Sequence, residues 1–259
     1  MARVLVRGAS DIGSAVALRL RAAGHAVVLH DAPRPPHPRR GMAFTDAFFE
    51  RTCMLEGVLA KRASATANLG PMLACGGALP VTDAPFAEVL EAVAPDILID
   101  ACLHKHGAPE PVRGLAPLAI GLGPGFVAGD NADLVVETAW GESLGKVIRS
   151  GSALDYAGEP RPLGGHGRER YVYAGRAGIF RTGRAIGDRV REGDEVARID
   201  GLVVVASLSG ILRGLTHDGA SVAAGTKVLE VDPRGEPARA FGVGERPDRI
   251  AAGIVGAIS

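Results

Sequence analysis

"RVLVRGASDIGSAVALRLRAAGHAVVLHDA", residues 3–32, decides how the chain is read. Val4, Leu5 and Val6 form a short unbroken apolar run, as in a central parallel strand buried on both faces. Gly8 permits a sharp exit. From Asp11 onward Ile12, Val16, Leu18 and Leu20 fall close to helical spacing, and Gly24 stands where a helix C-cap would. A second strand is expected at Ala26 to Leu29. Strand, glycine turn, helix and strand together predict a nucleotide-binding βαβ unit. In such units the first glycine makes the turn, the second lets a pyrophosphate approach, and the third lets helix and strand pack closely.

Here those positions read Gly8, Ser10 and Gly13. The Ser10 hydroxyl can donate to a phosphate, while its Cβ narrows the approach, and the amides of a helix opening at Asp11 still suit an anion. Asp31 stands where an acidic residue accepts ribose hydroxyls. Gly8, Ser10, Asp11, Gly13 and Asp31 are therefore candidate cofactor-binding residues, and a plain βαβ packing unit reads from the same positions. The following "RPPHPRR", residues 34–40, has too many prolines for a helix interior and is expected as a loop. Its Arg39 and Arg40 join the cofactor-binding candidates as phosphate ligands, the alternative being a solvated charged loop.

Further along, "PFAEVLEAVAPDILIDA" predicts a helix from Pro85 and a buried strand at Ile97 to Ile99 that ends at Asp100. Asp100 and Lys105 lie just beyond that strand and are candidate catalytic residues. Asp100, Cys102, His104 and His106 would share one side if the chain stayed extended, a set able to ligate a metal. With the strand ending at Asp100 that alternation loses its meaning, and no metal is expected. "PLAIGLGPGF" repeats the opening logic, an apolar strand running into Gly121, Gly123 and Gly125, which are further cofactor-binding candidates because strand ends of an open sheet line one crevice. "ADLVVET" supplies another strand.

The second half contains an internal repeat. Residues 173 to 200 align without a gap on residues 205 to 232, matching Gly178 to Gly210, Ile179 to Ile211, Arg181 to Arg213, Val190 to Val222 and Asp200 to Asp232. Two copies are too few for a solenoid and should close on each other with pseudo-twofold symmetry. The arrangement resembles the barrel-sandwich hybrid of biotinyl and lipoyl domains. The joint between the copies, Asp200 to Val205, holds no lysine, so neither biotin nor lipoate is expected. The expected fold class is α/β: a Rossmann-like parallel-sheet domain over residues 1–160 and a small all-β barrel-sandwich hybrid over residues 165–235. Residues 236–259 then form a helix docking on the first domain through Ile250, Ile254, Val255 and Ile258.

Composition bounds the function. Lys+Arg and Asp+Glu balance at 29 each, so no net field draws the chain to nucleic acid or to an anionic membrane, and neither is expected as a partner. Cys53, Cys75 and Cys102 contain no CxxC pair, which argues against a disulfide framework and for a reducing, cytoplasmic setting. No signal peptide or membrane-spanning run is read.

Several segments together resemble one family, the accessory proteins of the selenium-dependent molybdenum hydroxylase system. They are "RGASDIGSAVALRL", "RRGMAF", "DACLHK", "IGLGPGFVAGDNADLVVET", "LGKVIRSGSA" and "TKVLEVDPRG". Ser10 and Glu142 depart from the usual glycine and histidine of that pattern. The resemblance implies a role in maturing a molybdenum hydroxylase client, with the molybdenum cofactor, a pterin dinucleotide, as the small-molecule ligand. Two alternatives stand beside it: an NAD(P)-dependent oxidoreductase with Lys105 as proton donor, and a non-enzymatic scaffold gripping a client hydroxylase. The choice between molybdenum cofactor and NAD(P), the question of catalysis and a homo-oligomeric state stay open at this level.

Overall fold

The computed structural model describes residues 1–104, 107–156, 158 and 160–258. The candidate Lys105, with His106, lies outside the described residues. The elements of the first half are β1 (Arg3–Arg7), α1 (Asp11–Ala22), β2 (Ala26–His30), α2 (Ala47–Glu50), β3 (Thr52–Leu55), β4 (Val58–Arg62), α3 (Leu69–Cys75), β5 (Leu79–Thr82), α4 (Phe86–Val93), β6 (Ile97–Asp100), β7 (Leu118–Leu122), β8 (Val127–Ala128), β9 (Leu134–Val136), β10 (Val147–Ile148) and β11 (Gly151–Ser152). The second half adds β12 (Tyr171–Tyr173), β13 (Gly178–Arg181), β14 (Arg189–Val190), β15 (Glu195–Ile199), β16 (Leu202–Val205), β17 (Gly210–Leu215), β18 (Ser221–Val222), β19 (Lys227–Asp232) and α5 (Glu245–Ile258).

A nine-stranded sheet in the order β10-β9-β7-β6-β1-β2-β5-β4-β3 organises the first half. Its inner strands are parallel, and Val4, Leu5 and Val6 of β1 are fully buried between β2 and β6, as expected of a strand covered on both faces. Both edges are antiparallel. Glu56 and Gly57, each at positive φ, close a two-residue hairpin from β3 to β4, the turn that matches strand twist. At the other edge β10 pairs antiparallel with β9.

The second half divides into two four-stranded antiparallel sheets, β12-β19-β17-β14 and β16-β15-β13-β18, and β11 forms a separate pair with β8. This corrects the expected fold class. The large sheet is mixed and nine-stranded instead of a Rossmann-like parallel sheet, and the second half forms two separately hydrogen-bonded antiparallel sheets instead of a biotinyl- or lipoyl-like barrel. Short apolar runs announce strands but not their partners or direction, and turn geometry set the edges.

The internal repeat is visible in the topology. The central strands of one small sheet, β19 and β17, come from the second copy and its edge strands β12 and β14 precede or belong to the first; the other sheet reverses this. A shared cluster including Phe180, Ile199, Leu212, Leu229 and Val231 lies between them.

α5 returns to the first half and packs beside α1, burying Ile250, Ala251 and Ile254 in the main core. Gly253 lets the helix approach, because a Cβ there would collide with the carbonyl oxygen of Gly145. No helix among the described residues is long and apolar enough to cross a membrane.

Candidate functional site

The chain leaves β1 on the β2 side, builds that wing, and returns to β6 on the other side of β1. The carboxyl ends of β1 and β6 therefore flank a topological switch point, where open α/β sheets bind ligands. Gly8 follows β1 there with φ +102°, and the Ala101 backbone lies 2.9 Å from where its Cβ would stand. Glycine is required by this backbone contact. Gly13 meets the same turn: a Cβ on it would strike the Gly8 carbonyl. These two glycines thus serve the packing of strand, turn and helix.

Ser10 is the N-cap residue of α1, yet it makes no side-chain capping bond, and its buried Oγ has no hydrogen-bond partner. Such an orphaned hydroxyl at a helix N-terminus is an unused donor. Asp31 is fully used. Its carboxylate accepts from the amides of Ala9 at 2.6 Å and Ala32 at 2.7 Å, and faces His37 Nε2 at 2.8 Å. Burial opposes its charge, but the His37 contact and the two amides hold it below the usual carboxylate range. The expected ribose acceptor is therefore a fastener of the turn and of the 34–40 loop.

That loop docks on the second half. The Leu215 amide donates to the Pro38 carbonyl at 2.7 Å, and Arg40 Nε donates to the Leu215 carbonyl at 2.7 Å while its Nη1 pairs with Asp46 at 2.8 Å. Arg39 spans the seam between halves. It donates to Asp11 at 2.8 Å and to both carboxylate oxygens of Glu230 at 2.8 and 3.2 Å. Arg40 is occupied within the fold, and Arg39 is a bridge from the first turn of α1 to β19.

Around that bridge lies a group of charges that sequence reading did not assemble. Glu230 is fully buried and is also paired with Arg170 at 2.8 Å, Arg213 at 3.2 Å and Lys227 at 3.4 Å. Burial opposes its ionisation, but Arg39, Lys227 and Arg213 hold it well below the usual carboxylate range. Asp11 behaves alike: desolvation is outweighed by Arg39, with Lys227 and Arg246 adding to the field. Arg246, from α5, donates to the Thr138 carbonyl at 2.7 Å; desolvation, offset in part by Asp11 and reinforced by Arg39, lowers its pKa. Arg39, Lys227 and Arg246 thus act on Asp11 at the mouth of α1, while Arg39, Arg170, Arg213 and Lys227 surround Glu230. The signal for Glu230 was present: an acid inside the apolar run "KVLEVD" is a buried carboxylate in search of cations.

The second glycine loop is filled from within. A Cβ on Gly121 would enter the Phe126 ring, one on Gly123 would meet Thr138 Oγ1, and one on Gly125 would lie 2.6 Å from Pro109. Asp100, the catalytic candidate, is fully buried; Arg7 Nη1 lies 3.3 Å from its Oδ2 and the Cys102 amide donates to its Oδ1 at 3.0 Å. β6 does end at Asp100, yet one ligand atom each of Asp100, Cys102 and His104 lie within 4.8 Å of one another. The convergence comes from Leu103, whose φ of +54° reverses the backbone between cysteine and histidine. Desolvation, then the negative fields of Asp100 and Asp31, push the Cys102 thiol well above its usual range, which disfavours a free thiolate nucleophile.

The residues fit a phosphate-bearing group in part. An orphaned hydroxyl, a helix N-terminus and the guanidinium groups of Arg39 and Arg246 converge at α1, whereas Asp31 and the Gly121 to Gly125 loop are committed internally. A nicotinamide dinucleotide laid across Asp31 in the usual way does not fit.

No protein-family model matches the chain. It is similar to the Escherichia coli (strain K12) protein described as uncharacterized protein YqeB, with 38% identity over 255 residues, covering 98% of this chain and 47% of that protein. The chain spans about half the length of the curated relative it matches. Among solved structures it is similar to the product-bound ectoine utilization protein EutE (DoeB) from Ruegeria pomeroyi, with TM-score 0.27 and 13% identity, covering 90% of this chain and 85% of that one. A succinylglutamate desuccinylase from Silicibacter sp. TM1040 gives TM-score 0.26 and 13% identity, covering 89% and 84%.

Proposed function

We propose that this chain serves the maturation of a molybdenum hydroxylase by holding a phosphate-bearing ligand, the pterin dinucleotide cofactor of such an enzyme, over the N-terminus of α1. The observation that carries the ligand class is the set of cations around Asp11 in the first turn of α1, where Arg39, Lys227 and Arg246 all act on its carboxylate. Guanidinium groups and helix N-terminal amides both recognise phosphate oxygens. Ser10 donates its hydroxyl, Arg246 supplies a second charge from α5, and Arg39 keeps the two halves together while turning a guanidinium toward the helix end. The step from a phosphate-bearing ligand to a molybdenum hydroxylase rests on the sequence resemblance.

Deleting the chain from its host is expected to leave the client hydroxylase present but without active cofactor. The wild-type chain should restore activity and Arg246→Met should not. Normal client activity in the deletion strain would overturn the maturation role.

A further inference from the structure

We infer that Asp100, Cys102 and His104 form a binding site for a divalent transition cation of the zinc class, with a fourth coordination position left open. The inference does not rest on the proposed function, since none of these side chains belongs to the basic cluster at α1.

Three observations carry it. The donor set is a carboxylate, a sulfur and an imidazole, all with ligand atoms inside 4.8 Å. That mixture suits a borderline-soft cation better than magnesium or calcium, which take oxygen. Second, His104 Nε2 is buried without a hydrogen-bond partner, although Asp100 Oδ1 stands only 3.4 Å away. The pair is aligned too poorly for a hydrogen bond. Metal–ligand bonds of about 2.0–2.3 Å in a tetrahedron place neighbouring ligand atoms roughly 3.3–3.8 Å apart, and the observed separation falls in that range. Third, Leu103 takes a left-handed backbone conformation, φ +54°, that a side-chain-bearing residue adopts at a cost and that gathers at functional sites. Its consequence here is to turn Cys102 and His104 toward Asp100.

The surroundings resemble those of a supported site. Arg7 lies against the other oxygen, Asp100 Oδ2, and also pairs with Glu110 at 3.1 Å, whereas Oδ1 accepts the Cys102 amide at 3.0 Å and keeps its second lone pair for a cation. The His104 ring meets the edge of Phe126 at a centroid distance of 5.9 Å, which fixes its orientation. Binding would form metal–O, metal–S and metal–N bonds, and the Cys102 S–H proton would leave to solvent. The carboxylate and thiolate together balance the charge of a dication, which limits the desolvation cost. Because Asp100 ends β6 at the switch point, the open position would face the crevice, where a water or a substrate oxygen or sulfur could complete the tetrahedron.

The test uses the full chain, stripped with chelator and titrated with Zn²⁺ or Co²⁺. One equivalent should bind, and the cobalt form should show a thiolate-to-metal charge-transfer band. Cys102→Ser should abolish the band, and both it and His104→Ala should weaken binding at least about 10-fold, while Cys75→Ser leaves both unchanged. Circular dichroism of each variant reports whether it remains folded. Failure to bind Zn²⁺, a band that survives in Cys102→Ser, or one that disappears in Cys75→Ser would overturn the site.

Discussion

Arg39 donates to both carboxylate oxygens of Glu230, at 2.8 and 3.2 Å, and so ties the loop after β2 to a strand 191 positions later. Glu230 is fully buried, and breaking a buried pair by removing one partner costs about 3–5 kcal/mol because the remaining charge is uncompensated. Glu230→Gln should therefore lower stability by about that amount in urea unfolding. A loss under about 1 kcal/mol would show that Arg39, Arg170 and Arg213 find other partners.

Acid should weaken the fold in two stages. Glu230, Asp11 and Asp31 are held below their ordinary values, so their contribution is present above about pH 4.5 and lost as pH falls through the folded values. His30 titrates earlier: burial lowers its pKa from 6.5, although the Ala84 carbonyl opposes the shift. The unfolded chain takes a proton below about pH 6.5 that native His30 refuses, so stability falls from there downward. Urea midpoints against pH should show both stages, with the first absent in His30→Gln.

Two glycines of α5 should respond with opposite sign. Gly253→Ala would press a methyl into the Gly145 carbonyl and should destabilise by about 1–3 kcal/mol. Gly256 has open space where its Cβ would stand, and alanine there should stabilise by up to about 1 kcal/mol through helix propensity. Paired thermal unfolding of the variants separates the two; equal shifts would contradict the close docking of α5 on the Gly145 turn.

The parts of the fold written in local pattern were legible. Val4 to Val6, Ile97 to Ile99, Ala119 and Ile120 are buried strand residues, with Leu118 partly buried, and the ungapped repeat reappears as two sheets that exchange edge strands. Strand direction at the sheet edges was not legible, because it depends on turns such as Glu56–Gly57. Nor were the roles of Arg39 and Arg40, whose partners Glu230 and Leu215 are remote in sequence. Gly121, Gly123 and Gly125 read as a ligand loop because glycine looks the same whether it admits a phosphate or a Phe126 ring. The convergence of Asp100, Cys102 and His104 was hidden by one dihedral angle, that of Leu103.

Calorimetric titration of inorganic pyrophosphate into the full chain, with Arg246→Met and Ser10→Ala beside the wild type, reads phosphate binding at the N-terminus of α1 itself. A charged hydrogen bond is worth about 1.5–3 kcal/mol, so Arg246→Met should bind pyrophosphate about 10- to 100-fold more weakly, with Ser10→Ala weakened less. Absence of binding to the wild type, or equal affinity in Arg246→Met, would contradict a phosphate-bearing ligand at the N-terminus of α1.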